Sequence, residues 1–226
     1  MFALGVKVRL LFEKIDQMRF IGHLDLLKCF QRAFKRANVP VAYTKGYNPH
    51  QEVSFAMPLP LGMAGLKECV DIVLAKPAGD EELPPYVRAL NATLPAGLKM
   101  LDARLMGDGE KSAASALCAA AYAIRLPAAD MAEAWCATTS EKEILVMKKT
   151  KTKLKNVDIR PDILSIRAEG ATIHAILAAG SERNLKPSLL VEHVCHVAQK
   201  TYAPDAALTV RTALYRKNND ALADLF

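Results

Sequence analysis

The sequence is poor in the residues that signal a metal site or a disulfide framework. Its five cysteines, Cys29, Cys69, Cys118, Cys136 and Cys195, are odd in number, and none lies within three residues of another. That spacing argues against paired disulfides, a zinc ribbon and a self-supplied iron–sulfur cluster. It predicts reduced, mostly buried thiols. His193 and His196, with Glu192 and Cys195 beside them, come nearest to metal-ligand spacing, and the expectation is that no metal is bound. No apolar run reaches the length of a membrane span. The opening MFALGVKVRLLFEK is too short and too soon charged for a signal peptide, so a cytoplasmic protein is expected. A phosphate-binding glycine loop, a dinucleotide fingerprint and a nucleophile elbow are also missing.

What is present fits a globular chain. The 226 residues are 51% hydrophobic, enough for one large domain or two small ones with a real core. The formal net charge is +6, which is compatible with nucleic acid without establishing it.

The order of elements is regular. Lys7 to Phe12 alternates as a strand, and Met18 to Gly22 is expected to continue that sheet edge. Leu24, Leu27, Phe30, Phe34 and Ala37 recur at helical spacing, and Asn38 with Pro40 ends the helix. Strands are expected at Val41–Tyr43, Val53–Met57, Cys69–Ala75 and Lys99–Leu105, with a helix over Asp80–Ala92. This is a β-α-β-β-α-β order, the ferredoxin-like arrangement. The small, polar stretch 107–120 reads as a linker. The second half repeats the order with strands at Tyr122–Leu126, Ile144 onward, Asp162–Arg167, Thr172–Ala178 and Ala207–Tyr215. Its helices are expected at Asp130–Thr138 and Pro187–Gln199, and the tail after Lys217 is read as a short helix or frayed. Trp135 is read as a core anchor. The reading is thus an α+β protein of two ferredoxin-like halves with antiparallel sheets, 1–106 and 121–226.

Three stretches carry the candidate chemistry. On the first helix, Lys28, Arg32, Lys35 and Arg36 fall on one basic stripe, which is either a solvated face or an anion contact. The long loop in YTKGYNPHQEVSFAMPLPLG offers Lys45, Tyr47, Asn48 and His50 to phosphates or bases. The bland alternative makes Tyr43 and Phe55 core and Tyr47 a rim residue. Lys149, Lys151, Lys153 and Lys155 share parity and would line one face of a single long strand. Such a face suits a phosphate backbone or serves solubility alone. Directly after it, Asp158 and Arg160 of VDIRP are expected to pair. In GSERNLKP, Ser181, Arg183, Asn184 and Lys186 precede a helix, where they would either hold a phosphate or cap the helix. His23, at a strand-to-helix turn, is a structural group or an acid–base group.

RFIGHLDLLKCFQRAFKRANVPVAYTKGYNPHQEVSFAMPLPLG, Glu68 and Asp71 of ECVD, VDIRP and GSERNLKP together resemble the radical-SAM-linked protein family, over nearly the whole chain from about Val6 to Arg216. The family pattern usually has serine where this chain has Gly22, and proline where it has Gln51. The family occurs beside, or fused behind, cobalamin-binding radical SAM proteins, near ribonuclease and ribosomal-protein genes. The resemblance therefore implies RNA or ribosome work, such as RNA modification. The radical SAM cysteine run is absent, so this chain would hold no cofactor. The partner would carry the iron–sulfur cluster, S-adenosylmethionine and cobalamin.

The expected function is an accessory RNA-binding protein that presents tRNA or rRNA to a radical SAM enzyme, or docks on that enzyme, and has no catalytic residue of its own. The alternative is a metal-independent ribonuclease using His23, with Lys45 or Arg19 stabilising the scissile phosphate. A third reading is a structural subunit without nucleic acid.

Overall fold

The computed structural model describes residues 5–138, 142–149, 154–201, 207–219 and 221–226. The chain forms two compact units. One comprises Met1–Leu117 with Arg216–Phe226, and the other Cys118–Tyr215.

In the first unit, β1 (Val6–Lys14) leads into α1 (His23–Arg36), β2 (Val53–Phe55), β3 (Ala64–Leu74), α2 (Leu83–Asn91) and β4 (Leu98–Leu105). β1 lies between β4 and β3, β2 pairs with β3, and every one of these pairs is antiparallel. The order β4-β1-β3-β2 is the ferredoxin-like sheet that the element order predicts. Alternation on β1 buries Val8, Leu10 and Phe12 against Leu26, Phe30 and Phe34 of α1, with Val70, Ile72 and Leu74 alongside from β3. Phe12, Phe30 and Phe55 meet edge to face, with centroids 4.9 to 5.8 Å apart. Pro84 and Pro85 fall in the first turn of α2, where their missing N–H groups cost nothing. Just before it, the Gly79 N–H donates to Glu82 Oε2 at 2.7 Å.

On the opposite face of β1, Arg9 is the buried residue, between exposed Lys7 and half-buried Leu11. Arg9 is fully enclosed. Its Nε and Nη2 donate to Asp71 Oδ1 and Oδ2 at 2.8 and 3.1 Å, and its Nη1 donates to Glu110 Oε1 and the Leu225 carbonyl. Asp71 also accepts from the Ala113 N–H at 2.6 Å, at the start of the short α3 (Ala113–Ala116). Arg104, the cross-strand neighbour of Arg9, pairs with Glu110 at 2.6 Å. That hydrogen bond holds the Glu110 carboxyl down at about 2. The C-terminal segment closes this unit, where β11 (Ala221–Asp224) pairs with the end of β10 (Leu208–Asn218).

In the second unit, β5 (Leu117–Arg125), α4 (Ala129–Thr138), β8 (Ile163–Glu169), β9 (Thr172–Ala178), α5 (Pro187–Val197) and β10 repeat the plan. Their sheet order is β10-β5-β9-β8. A separate antiparallel hairpin, β6 (Leu145–Lys149) and β7 (Leu154–Asp158), is inserted between α4 and β8. Trp135 is fully buried in α4, as an anchor would be. Among the described residues no helix is long and apolar enough to cross a membrane.

Four local expectations differ from the structure. Residues 16–20 form a 3-10 turn and do not extend the sheet, because Asp16 takes φ 50° and the Ile15 N–H bonds the Gly97 carbonyl. Val41 and Tyr43 make only isolated bridges. The lysine-rich strand folds back on itself, so Lys149 stands opposite Leu154 and Lys155 opposite Lys148. Lys149 and Lys155 therefore fall on opposite faces of the hairpin, and Lys151 and Lys153 lie outside the described residues. The tail is the strand β11, not a helix.

Candidate nucleic-acid interface

α1 begins at His23 after Gly22 in extended conformation, and its apolar side is consumed by the core. Lys28, Arg32, Lys35 and Arg36 are left on the exposed side. Among the described residues, Lys28, Arg32 and Lys35 form no ion pair. Arg36 donates from Nη2 to the Thr93 carbonyl at 3.0 Å. A helix carrying cations at i, i+4 and i+7 is mildly destabilised by their repulsion, which an anion relieves.

Beside this stripe the chain between α1 and β2 folds into a narrow hairpin. The Glu52 N–H bonds the Ala42 carbonyl and the Thr44 N–H the His50 carbonyl, while Tyr43 bridges Gln51. The Ala42 N–H holds the base of the hairpin to Val73 of β3. At the tip, Gly46 takes φ 130° and Tyr47 is fully exposed. Thr44 Oγ1 accepts from the His50 N–H at 3.1 Å, and His50 Nδ1 lies 3.3 Å from the Asn48 carbonyl. His50 Nδ1 also lies 3.2 Å from Thr44 Oγ1.

Helix and hairpin enclose a groove of about 260 Å³ lined by Lys28, Gln31, Arg32, Lys35, Tyr43, Pro49, His50 and Gln51. It holds three permanent cations, an imidazole and a half-exposed phenol ring, and no carboxylate. A second depression of about 530 Å³ continues along α1 past Asp25, Lys28 and Arg32 to Arg36, Thr93 and Pro95, so it carries one carboxylate among three cations. Cys29 lies in it, and burial pushes its thiol up while Arg36 and Arg32 pull it down. Together these make a basic track with an aromatic face, the combination that single-stranded nucleic acid favours.

The structure thus brings Lys28, Arg32, Lys35 and His50 together, with Arg36 along the track and Lys45, Tyr47 and Asn48 at the hairpin tip. Tyr43 was read as core on one view, yet it is 47% exposed and lines the groove, whereas Phe55 packs inside. Sequence reading missed Gln51, a buried residue that lines the groove. Its only signal was the departure from proline at that position.

In the second unit, Lys155 is exposed on β7. Asp158 does not pair with the Arg160 guanidinium. Its Oδ1 accepts the backbone N–H groups of Arg160 and Ile144, both at 2.9 Å, and Arg160 Nη1 reaches the Ile163 carbonyl. Ser181, Asn184 and Lys186 are exposed before α5, while Arg183 is engaged with Asp162 at 2.6 Å. No side chain caps α5; Pro187 opens it.

His23 lines neither cavity along α1. Its ring stands edge-on to Phe55 at 5.4 Å, and its buried Nδ1 has no hydrogen-bond partner among the described residues. The loop therefore meets His23 through an aromatic contact. Among the described residues no group of three or more acidic, histidine or cysteine side chains is placed to hold a metal.

The fold and the groove define an antiparallel α+β protein built twice on the ferredoxin-like plan. The chain belongs to the family described as "Uncharacterized protein conserved in bacteria (DUF2344)", whose model matches residues 7–187. No curated protein matches it. One similar solved structure is "Crystal Structure of a Cbf5-Nop10-Gar1 Complex", with 11% identity and a TM-score of 0.42 over 95% of this chain. The chain spans half the length of the chain it matches there.

Proposed function

We propose that this chain binds RNA through the α1 groove and acts as an accessory subunit, without chemistry of its own. One observation carries the reading: Lys28, Arg32 and Lys35 converge on a groove that contains no carboxylate, beside Tyr43 and His50. Cations left without internal partners displace the counterions condensed on a polyanion, so affinity should fall steeply with salt. The exposed Tyr47 and the half-exposed Tyr43 add faces for stacking. Lys155 and the Ser181–Lys186 loop extend the basic surface within the second unit.

The proposed partner is a radical SAM enzyme, and its support is the motif resemblance alone. On this reading the iron–sulfur cluster, S-adenosylmethionine and cobalamin belong to the partner. The scattered cysteines of this chain do not form a cluster-binding run. A cytoplasmic setting follows from the same role.

The test is a titration of fluorescent single-stranded RNA at increasing salt, with the wild type and the triple variant Lys28→Gln, Arg32→Gln, Lys35→Gln. We expect binding at low salt, with a log–log salt slope that falls by about 0.7 for each phosphate contact removed. No binding at low salt would refute the RNA reading and leave a structural subunit. The ribonuclease alternative has less support, because His23 stands apart from the lining residues and is packed on Phe55.

A further inference from the structure

A third cavity, of about 300 Å³, is lined in part by residues of the 44–52 hairpin. Its lining includes Lys7, Val53, Ser54, Asp71, Val73 and Met106, together with His50 and Gln51. The volume is at the lower end for small-ligand sites, and the lining mixes apolar walls with a few polar groups, the usual make-up of such a site. Gln51 and His50 line both this cavity and the groove.

Gln51 is 95% buried, at 5% relative exposure, and its Oε1 has no hydrogen-bond donor among the described residues. A buried amide oxygen left without a donor carries the full cost of its desolvation. The charges of the two spaces differ in kind. The groove presents Lys28, Arg32 and Lys35 without a carboxylate, whereas the cavity carries Lys7, Glu52 and an Asp71 already spent on Arg9. An anionic phosphate is favoured in the first, and a neutral ring in the second.

We infer that the cavity receives one unpaired adenine base of the bound RNA, read by the Gln51 amide, while the adjoining phosphates lie on α1. An amide side chain matches adenine in both directions: Oε1 accepts from the N6 amine and Nε2 donates to a neighbouring ring nitrogen. Val53, Val73 and Met106 supply apolar contact for the ring, and His50 stands where groove and cavity meet. Extrusion of one base into a protein cavity is an ordinary mode for single-stranded RNA. The inference rests on the RNA reading and adds its base specificity.

The test compares short homopolymers of A, C, G and U on the full chain, for the wild type and Gln51→Leu. The adenine homopolymer should bind roughly five- to hundredfold tighter than the uracil one. Gln51→Leu should remove that preference and leave the salt slope unchanged. Gln51→Asn keeps the amide but shortens its reach. It should lose the preference as well, so a leucine variant that fails to fold does not block the test. Equal binding of all four homopolymers, or an adenine preference that survives both variants, overturns the inference and leaves the RNA reading standing. If no homopolymer binds at low salt, the RNA reading itself fails. Adenosine monophosphate that then still shifts the Val53 and Val73 amide resonances would assign the cavity to a free nucleotide and overturn RNA as its source.

Discussion

Arg9 is the residue whose removal should damage the first unit most. Its guanidinium is fully enclosed, bidentate on Asp71, and bonded to Glu110 and to the carbonyls of Leu225 and Lys111. Arg9→Met keeps the apolar stem and deletes the charge. Asp71, 8% exposed, would then keep only the Ala113 N–H as a partner among these groups. Breaking a buried ion pair from one side costs about 3–5 kcal/mol, because the remaining charge stays desolvated. That is a large part of the ~5–15 kcal/mol that holds a typical domain together. Replacing both partners, Arg9→Met with Asp71→Leu, removes the stranded charge as well. What remains is mainly the orphaned Ala113 N–H and the two freed carbonyls, at about 1–3 kcal/mol for each buried group left unpaired. The double variant should therefore be more stable than Arg9→Met alone, or at worst equal to it. Urea unfolding followed by circular dichroism measures the wild type, Arg9→Met, Asp71→Leu and the double variant. A loss below about 1 kcal/mol in Arg9→Met, or an additive loss in the double variant, would refute the view that this network is a closed charge balance.

Three further outcomes are expected. Glu110 is held at about 2, mainly by its hydrogen bond to Arg104, against an ordinary value of 4.5. Its folded value is depressed, so its contribution is present above 4.5 and lost as pH falls from there towards 2, at up to about 3 kcal/mol before solvent screening; Glu110→Gln should flatten an acid unfolding curve in that window. His23→Leu removes a buried nitrogen that has no partner among the described residues and keeps contact with Phe55, so stability should change by less than about 1 kcal/mol; RNA incubated in chelator should stay intact with either protein, and cleavage by the wild type that vanishes in the variant would restore the nuclease alternative. Tyr47→Ala should leave the melting temperature unchanged, since the ring is fully exposed, yet weaken RNA binding by about 1–3 kcal/mol if a base stacks there.

The plan of the fold was legible where periodicity and burial agree. Val8, Leu10 and Phe12 alternate and are buried, and Leu26, Phe30 and Phe34 keep helical spacing and face them. Periodicity misled where polar residues imitate it. KKTKTKLK has strand parity, yet it reverses between Lys149 and Leu154 with no glycine or proline to mark the turn. Arg9, in the middle of VKVRLLFEK, reads as a residue on a solvent face. It is buried because residues 110–113 and Leu225, far away in sequence, cover that face. The basic stripe of the site was legible, because helical spacing alone puts Lys28, Arg32 and Lys35 together. The hairpin that turns the stripe into a groove was not, since its pairing of Tyr43 with Gln51 depends on its tether to β3.

The division between charges that fold this chain and charges that serve its surface runs through the first unit. Arg9 and Arg104 are both neutralised, by Asp71 and Glu110, and the Lys14 ammonium is buried against the carbonyls of Arg19 and Ile21. The stability of the unit therefore draws on cations already engaged by internal partners. Lys28, Arg32 and Lys35 contribute nothing of that kind, and their mutual repulsion costs about 0.2–0.5 kcal/mol for each close pair on the helix. Replacing them with glutamine should leave stability unchanged or raise it slightly, while weakening RNA binding. Residues that cost stability and are not needed for packing are explained by a ligand that requires them. A loss of folding in that triple variant would instead return the stripe to the structural side of the division and remove the groove from consideration as an RNA site.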